Sequence, residues 1–338
     1  MRKTVAIIGG GITGMEAAIQ INKLGHTVHV FEKDEKLGGH VAQWDHVFPN
    51  QRKAREIINE LTCQISEEIN IHLSSFVEKI SQIDDSFVIK SDNNELKADA
   101  IVLASGFELF SASKKEEYGY GIFENVITSV DLERMFVEKG HPFMRNGEIP
   151  QRIAFIHCVG SRDEKVKRTY CSKVCCITAV KQAIEVKESI PEASVYNLYM
   201  DLRMFGPGYE DMYQKAQQKG ITFIRGRLSE ASEVENNRIL IKTEDTLSSR
   251  PIKMTVDLIV LMIGISPSLA NNQILSDLKL EPNKDGFAEI ADDHLSPTHS
   301  KVKGVFIAGA CTGPCSITDA INASRSASVE VHHYLNQV

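Results

Sequence analysis

Four of the seven cysteines in this 338-residue chain fall in one run, HCVGSRDEKVKRTYCSKVCC from His157 to Cys176. Cys158, Cys171, Cys175 and Cys176 follow a C-x12-C-x3-C-C spacing. An odd cysteine count, clustered and without a secretory signal, points away from a disulfide framework and toward metal or redox chemistry in a reducing compartment. Zinc sites are generally built from C-x2-4-C knuckles. Adjacent cysteines more readily reach different irons of a cubane than one tetrahedral ion, which favours a [4Fe-4S] cluster. A zinc site, a vicinal disulfide and four unrelated buried cysteines are the alternatives.

The other cysteines read differently. Cys311 and Cys315 form a C-x3-C pair across a Gly-Pro turn, unlike the C-x2-C or C-x4-C of proteins that reduce disulfides, and small buried thiols suit a tight turn. Cys63, beside Leu61 on a helical pattern, reads as a core residue.

The sulfurs need a frame. Residues 4–8, TVAII, read as an apolar strand running into Gly9-Gly10-Gly11-Ile12-Thr13-Gly14 and a helix-forming stretch from Met15 to Leu24. A second strand, Thr27 to Phe31, ends on Glu32 and Lys33. This is a dinucleotide-binding fingerprint. Gly9 permits the tight turn, Gly11 lets a pyrophosphate approach the backbone and Gly14 lets the helix pack close on the strand. Glu32 is placed to accept ribose hydroxyls, with Lys33 counted in the same site.

Leu37-Gly38-Gly39-His40 resembles the segment that FAD enzymes run along the pyrophosphate and ribityl chain. Residues 100–106, with Ala104 and Gly106 in their small-residue turn, look like the exit strand of such a domain. Residues 305–310, ending in Gly309 and Ala310, resemble the last FAD motif, and a helix from about Ile317 to Tyr334 would turn its first N–H groups toward the flavin. Many relatives carry Asp where this chain has Ala310. Trp44, with His46 and Phe48, precedes an expected amphipathic helix from Arg52 to Ile69 and is a candidate flavin-pocket residue.

The middle of the chain repeats the pattern without its glycines. Arg152 to His157 reads as a strand, Val174 to Glu188 as a helix and Ser194 to Tyr199 as a strand. Cys158-Val159-Gly160-Ser161-Arg162-Asp163 stands where a nicotinamide domain carries GxGxxG, so that cradle for NAD cannot form. Cys175 and Cys176 open the helix, whose dipole favours thiolate. Lys181 lies five residues past Cys176 on the same helix, within reach of a group adjoining a cluster; a solvated lysine is the ordinary alternative. Between Ser111 and Pro150 the expected helix Val130 to Lys139 carries no chemistry of its own.

The fold class expected is α/β, a two-dinucleotide-binding-domain flavoprotein. Residues 1–112 and 257–338 would form the FAD domain and 113–256 a middle domain bearing the cysteines. A net charge of −7 and no basic face with interleaved aromatics argue against nucleic acid as a partner. The longest strongly apolar run, Leu258 to Ile265, is less than half of a bilayer span. The chain is therefore expected to have no membrane span and to be cytoplasmic.

The cysteine spacing together with CVGSRDEK, YCSKVCC, YMDLRMFGPGYEDMY and FIRGR resembles the HdrA family of heterodisulfide reductase subunits over nearly the whole chain. The resemblance implies a thioredoxin-reductase-like fold, FAD in the first domain, a [4Fe-4S] cluster on Cys158, Cys171, Cys175 and Cys176, and Lys181 approaching flavin N5. It also implies a homodimer, HdrB-like and HdrC-like partners, and a lipoate-binding protein. The chain lacks ferredoxin-type C-x2-C-x2-C-x3-C runs. It also lacks a cysteine-rich insertion after Gly39, since Phe48-Pro49-Asn50-Gln51 leads directly into the helix. Both departures match the short form found in bacterial sulfur-oxidising complexes. The implied function is electron transfer between flavin and cluster. A self-contained NAD(P)H-dependent disulfide oxidoreductase and a zinc-stabilised assembly module are the competing readings.

Overall fold

The computed structural model describes residues 2–92 and 94–337. They divide into two compact units. The first comprises the chain up to Ala42, Arg55–Glu108 and Ser266 onward; the second comprises Gln43–Ala54 and Leu109–Ile265.

The first unit is built on a parallel five-stranded sheet in the order Val305–Ile307, Ala100–Leu103, Thr4–Ile8, Thr27–Phe31, Asn70–His72. Parallel strands covered on both faces read as continuous apolar runs, which is why TVAII and AIVL show no alternation. One face packs under the helices Ile12–Lys23 and Ile317–Gln337, where Val5, Ile7, Ala17, Ile21, Ala327 and Val331 are buried together. These helices approach closely because the contact residues are small: the Ser324 hydroxyl donates to Thr13 O at 2.9 Å and to Ala320 O at 2.8 Å. The other face is covered by an antiparallel sheet, Val77–Ile83, Ser86–Ser91 and Asn94–Ala98, through Ile80, Phe87 and Ile89.

The helix expected over Arg52 to Ile69 is shorter, Ala54–Thr62. After it the N–H groups of Gln64 and Ile65 bond back only three residues, to Leu61 and Thr62, closing turns in place of further helix. Cys63, expected in the core, is exposed at this helix end.

The second unit repeats the plan. Its parallel sheet runs Val126–Thr128, Leu258–Ile263, Arg152–Val159, Ser194–Tyr199, Thr222–Arg225. The helices Cys175–Ser189 and Tyr209–Gln218 make the crossovers and share one face with Ser129–Lys139, over a core that includes Phe136, Phe155, Val180 and Val260. An antiparallel sheet, Glu230–Val234, Arg238–Asp245 and Arg250–Val256, closes the other face.

The chain passes between units at 109 and 266, against the expected 113 and 257. The second difference has a plain cause. Leu258–Ile263 is hydrogen-bonded between two strands of the second sheet and all but its last residue is buried there. No helix among the described residues is long and apolar enough to cross a membrane.

Candidate redox sites

In the first unit the strand Thr4–Ile8 delivers a turn made of backbone. Gly9 has φ +108°, and a Cβ there would lie 2.4 Å from Ala104 O. A Cβ on Gly14 would lie 1.9 Å from Gly9 O, so close packing of helix on strand needs glycine at that position. Nothing lies within 4 Å of where a Gly11 Cβ would stand, and no side chain caps the helix that Gly11 opens. Its first amides face an open cradle, the arrangement that receives phosphate.

The neighbouring segments close on this turn. Gly38 N–H donates to Gly10 O at 2.9 Å, and a Gly39 Cβ would meet Gly11 Cα at 3.2 Å. A Gly309 Cβ would lie 2.4 Å from the Thr13 hydroxyl. Gly9, Gly11, Gly14, Gly38, Gly39, Ala104 and Gly309 are therefore brought together.

Glu32 is buried, and its carboxylate accepts the N–H of Gly10 at 2.7 Å and of Asp34 at 2.9 Å. Lone pairs beyond these two remain for a sugar hydroxyl. Lys33 points to solvent. His40 stacks on Phe107 with ring centroids 4.4 Å apart and bonds to Phe107 O at 2.9 Å. Gly106 takes φ +70° in the turn after the Ala100–Leu103 strand. Ala310 is buried in a short turn, and Ile317 starts its helix behind a reciprocal Ser316–Asp319 capping box. Trp44 falls in Gln43–Ala54, the segment grouped with the second unit.

In the second unit the equivalent turn is made of sulfur. The strand Arg152–Val159 breaks register between Ile156 and Val159, and Cys158 takes φ +58° there. Such a bulge re-aims a side chain at a strand end. The Cys175 thiol hydrogen-bonds to both Cys158 and Cys176. Those bonds pull Cys158 down to about 7 and Cys176 down to about 4 against their burial, while Cys175 itself is pushed well above the ordinary thiol range. Burial opposes charge on His157, yet the bond and charge of Cys176 outweigh it and raise its pKa. Cys171 is half-buried on the loop, where its sulfur accepts Lys173 N–H at 3.4 Å. The structure brings three of the four cysteines into mutual contact; Cys171 lies apart from their hydrogen bonds.

Among the described residues no three His, Cys, Asp or Glu side chains are posed to hold a single metal ion. What surrounds the sulfurs is a set of buried donors. His157 and Arg162 turn theirs to Cys176 and Cys158, while Ser161 Oγ and Asn197 Nδ2 are buried without a hydrogen-bond partner. Buried donors left unmade are costly, and an anionic group with several acceptor sulfurs is what this set lacks. The residues fit a sulfur-ligated cluster better than one bare ion.

The same helix carries Lys181, which is 1% exposed and so is not the solvated lysine of the alternative reading. Its ammonium donates to Glu133 Oε1 and to His46 O at 3.0 Å, and lies 3.1 Å from Glu185. Burial opposes its charge, but the two carboxylates more than compensate and its pKa is raised. Glu133 also accepts Gln182 Nε2–H at 2.6 Å and Asp45 N–H at 3.1 Å. Burial drives Glu185 up to about 8.

The helix expected to carry no chemistry thus supplies Glu133. Its signal was legible: Glu133 stands with Ser129, Val130 and Phe136 on the buried stripe, a charge where the helical period calls for an apolar residue.

Of the remaining thiols, Cys311 is wholly buried. Its S–H points at Leu103 O, 3.3 Å, and Ala308 O, 3.2 Å, and burial pushes its pKa up to about 12. Arg225 pairs with Asp201 at 3.6 Å on the surface.

The sequence model of the pyridine nucleotide-disulphide oxidoreductase family matches residues 1–133 and 177–327, leaving unmatched the stretch that holds Cys158, Cys171, Cys175 and Cys176. The A-type iron-sulfur subunit of CoB–CoM heterodisulfide reductase from Methanocaldococcus jannaschii is 31% identical over 420 residues, covering 97% of this chain and 64% of its own length. A counterpart from Methanopyrus kandleri is 30% identical over 432 residues, covering 100% of this chain and 65% of its own. The chain thus spans just under two thirds of these relatives. Thioredoxin reductase from Lactococcus lactis superposes over 100% of both chains with a TM-score of 0.67 at 18% identity, and that of T. acidophilum over 98% and 99% with 0.68 at 16%. These two establish the thioredoxin-reductase-like fold.

Proposed function

This chain belongs to the pyridine nucleotide-disulphide oxidoreductase family, flavin-dependent oxidoreductases, and is a homologue of the HdrA component of heterodisulfide reductase; from that premise we propose that it is an FAD- and [4Fe-4S]-containing electron-transfer subunit. The observation that carries the reading is the replacement of a glycine cradle by Cys158, Cys175 and Cys176, with the buried donors His157 and Arg162 turned to the sulfurs. Cys158, Cys171, Cys175 and Cys176 would hold the cluster, which supplies one-electron exchange to the two-electron chemistry of a flavin.

The protein's own part is binding and electrostatics. Gly9, Gly11 and Gly14 leave room for a pyrophosphate, with Gly38, Gly39 and Gly309 against it, and Glu32 takes a ribose hydroxyl. Arg162 lies against Cys158 and, with His157, offsets negative charge on the sulfurs. Lys181 would supply a fixed positive charge to the flavin, the role that the family resemblance implies for it. HdrB-like and HdrC-like subunits would carry electrons onward, with a lipoate-binding protein bearing the sulfur substrate in a cytoplasmic sulfur-oxidising complex. The protein itself would be a homodimer.

The competing reading, an NAD(P)H-dependent disulfide reductase, needs a pair open to exchange, and Cys311 is buried and protonated. Anaerobic stepwise reduction followed by visible and electron paramagnetic resonance spectroscopy tests the proposal. Iron and sulfide near four per flavin, with both centres accepting electrons, is the expected result. Protein purified anaerobically without iron, whose flavin is bleached stoichiometrically by NADH, overturns it.

A further inference from the structure

In the second unit two buried carboxylates face one buried ammonium. Glu133 projects from Ser129–Lys139, and Glu185 from the helix that carries Lys181. If all three were charged, the group would hold one uncompensated negative charge out of contact with water, an arrangement that proteins relieve by keeping a proton.

The two acids are not equivalent. Glu133 is fully served, accepting from Lys181, Gln182 and the Asp45 N–H. Both oxygens of Glu185 are buried, and neither is met with hydrogen-bond geometry; its neighbours are Lys181 at 3.1 Å and His46 Nδ1 at 3.5 Å. Donors thus meet Glu133 on every side that the site presents. Glu185 is left as the place for the proton.

His46 supplies a route. Its ring is about one quarter exposed, and its Nδ1 faces both Asp45, at 2.8 Å, and Glu185, at 3.5 Å. The titratable groups facing Glu185 are thus Lys181 on its own helix, Glu133 on the packed helix, and Asp45 and His46 on the Gln43–Ala54 segment.

We propose that Glu185 is a one-proton store, in which Glu133 and Lys181 fix the surrounding charge and His46 exchanges the proton with solvent. Discharge breaks the Glu185 O–H bond as His46 Nδ1 takes the proton and the imidazole Nε2–H gives its own to water; recharging reverses the path, and no electron moves. Glu133 and Lys181 are positioning residues. The use of the store rests on the functional reading above, since two-electron reduction of a flavin takes up a proton.

Infrared difference spectroscopy of the full chain across pH tests this directly, because a protonated buried carboxyl absorbs apart from carboxylates. The expected result is one carboxyl band that disappears as pH rises through about 8 and is absent in Glu185→Gln. In His46→Ala the band persists, but its exchange in deuterium oxide slows by about 100-fold, the low end of what a positioned proton carrier contributes.

A wild-type chain with no such band, a band unchanged in Glu185→Gln, or exchange unaffected in His46→Ala overturns the store. Should Glu185→Gln fail to fold, the wild-type titration and the variant at the partly exposed His46 still decide. None of these readings depends on flavin or iron. A store that fails in iron-loaded protein leaves the functional reading standing, and a store found in protein without iron does the reverse.

Discussion

The two units place a strand, a turn and a helix at the same point of the same topology, and they build that turn from opposite materials. In the first, Gly9, Gly11 and Gly14 strip away side chains so that amides face the site. In the second, Cys158, Cys175 and Cys176 fill it with sulfur, and a bulge in place of a glycine turn aims Cys158 inward. The second strands differ too. Thr27–Phe31 is followed by Glu32, held ready by two amides, whereas Ser194–Tyr199 leads to Asp201, taken by Arg162 at 2.7 Å. A βαβ frame fixes where a ligand sits, while the atoms lining one turn decide what chemistry of ligand it can receive.

The comparison is broken most severely by exchanging the two functions' fates. Cys176→Ser should lower iron and sulfide per chain by more than about tenfold, since removal of even an outer partner of a metal ligand costs 10–100-fold in affinity. Flavin content should stay unchanged. Gly14→Ala, whose Cβ would lie 1.9 Å from Gly9 O, should lose flavin and destabilise its unit by about 1–3 kcal/mol while keeping iron. Metal and flavin analysis of the two variants reads both losses. If either variant loses both cofactors while remaining folded, the units are not independent in this sense.

The charge beside the sulfur turn is the next test. Lys181→Met leaves Glu133 and Glu185 buried together without their cation and should cost about 3–5 kcal/mol in thermal or urea unfolding. Adding Glu133→Gln should recover part of that loss. The pH dependence has a definite sign. Glu185, raised from 4.5 to about 8, binds a proton in the folded chain where the unfolded chain has lost it. Its contribution is fully present below pH 4.5 and declines as pH rises toward 8, so wild-type stability should slope downward across that window more than that of Glu185→Gln.

The glycine turn was legible in the sequence because its constraint is local: each glycine is demanded by a backbone atom a few residues away, or by a segment with its own glycines. The cysteine run was legible as chemistry, but not its geometry, since the inward turn of Cys158 depends on a register shift against Leu258–Ile263, a strand assigned from sequence to the other domain. Glu133 and Glu185 were missed for a related reason, although a charge on the buried stripe marks Glu133 as unusual. Each is a single charge on an otherwise ordinary helix, and its meaning comes from a lysine 48 residues away in one case and a histidine on a distant segment in the other. Cys63 was misplaced because the apolar stripe beside it ends with the helix at Thr62.

The smallest effect concerns the thiols outside the cysteine turn, and it tests whether sulfur chemistry is confined to the second unit. With a pKa of about 12, Cys311 exposes about one thiolate in ten thousand at pH 8 and has no surface through which to react. Cys63 is open to solvent. Alkylation of the native protein, mapped by mass spectrometry, should therefore label Cys63 within the time that leaves Cys311 unmodified, and mild oxidation should not join Cys311 to Cys315. Labelling of Cys311 at a rate near that of Cys63, or a disulfide to Cys315 in folded protein, would place exchangeable sulfur in the first unit as well. The contrast between an amide-built site and a sulfur-built one would then hold for the two turns alone and not for the two units.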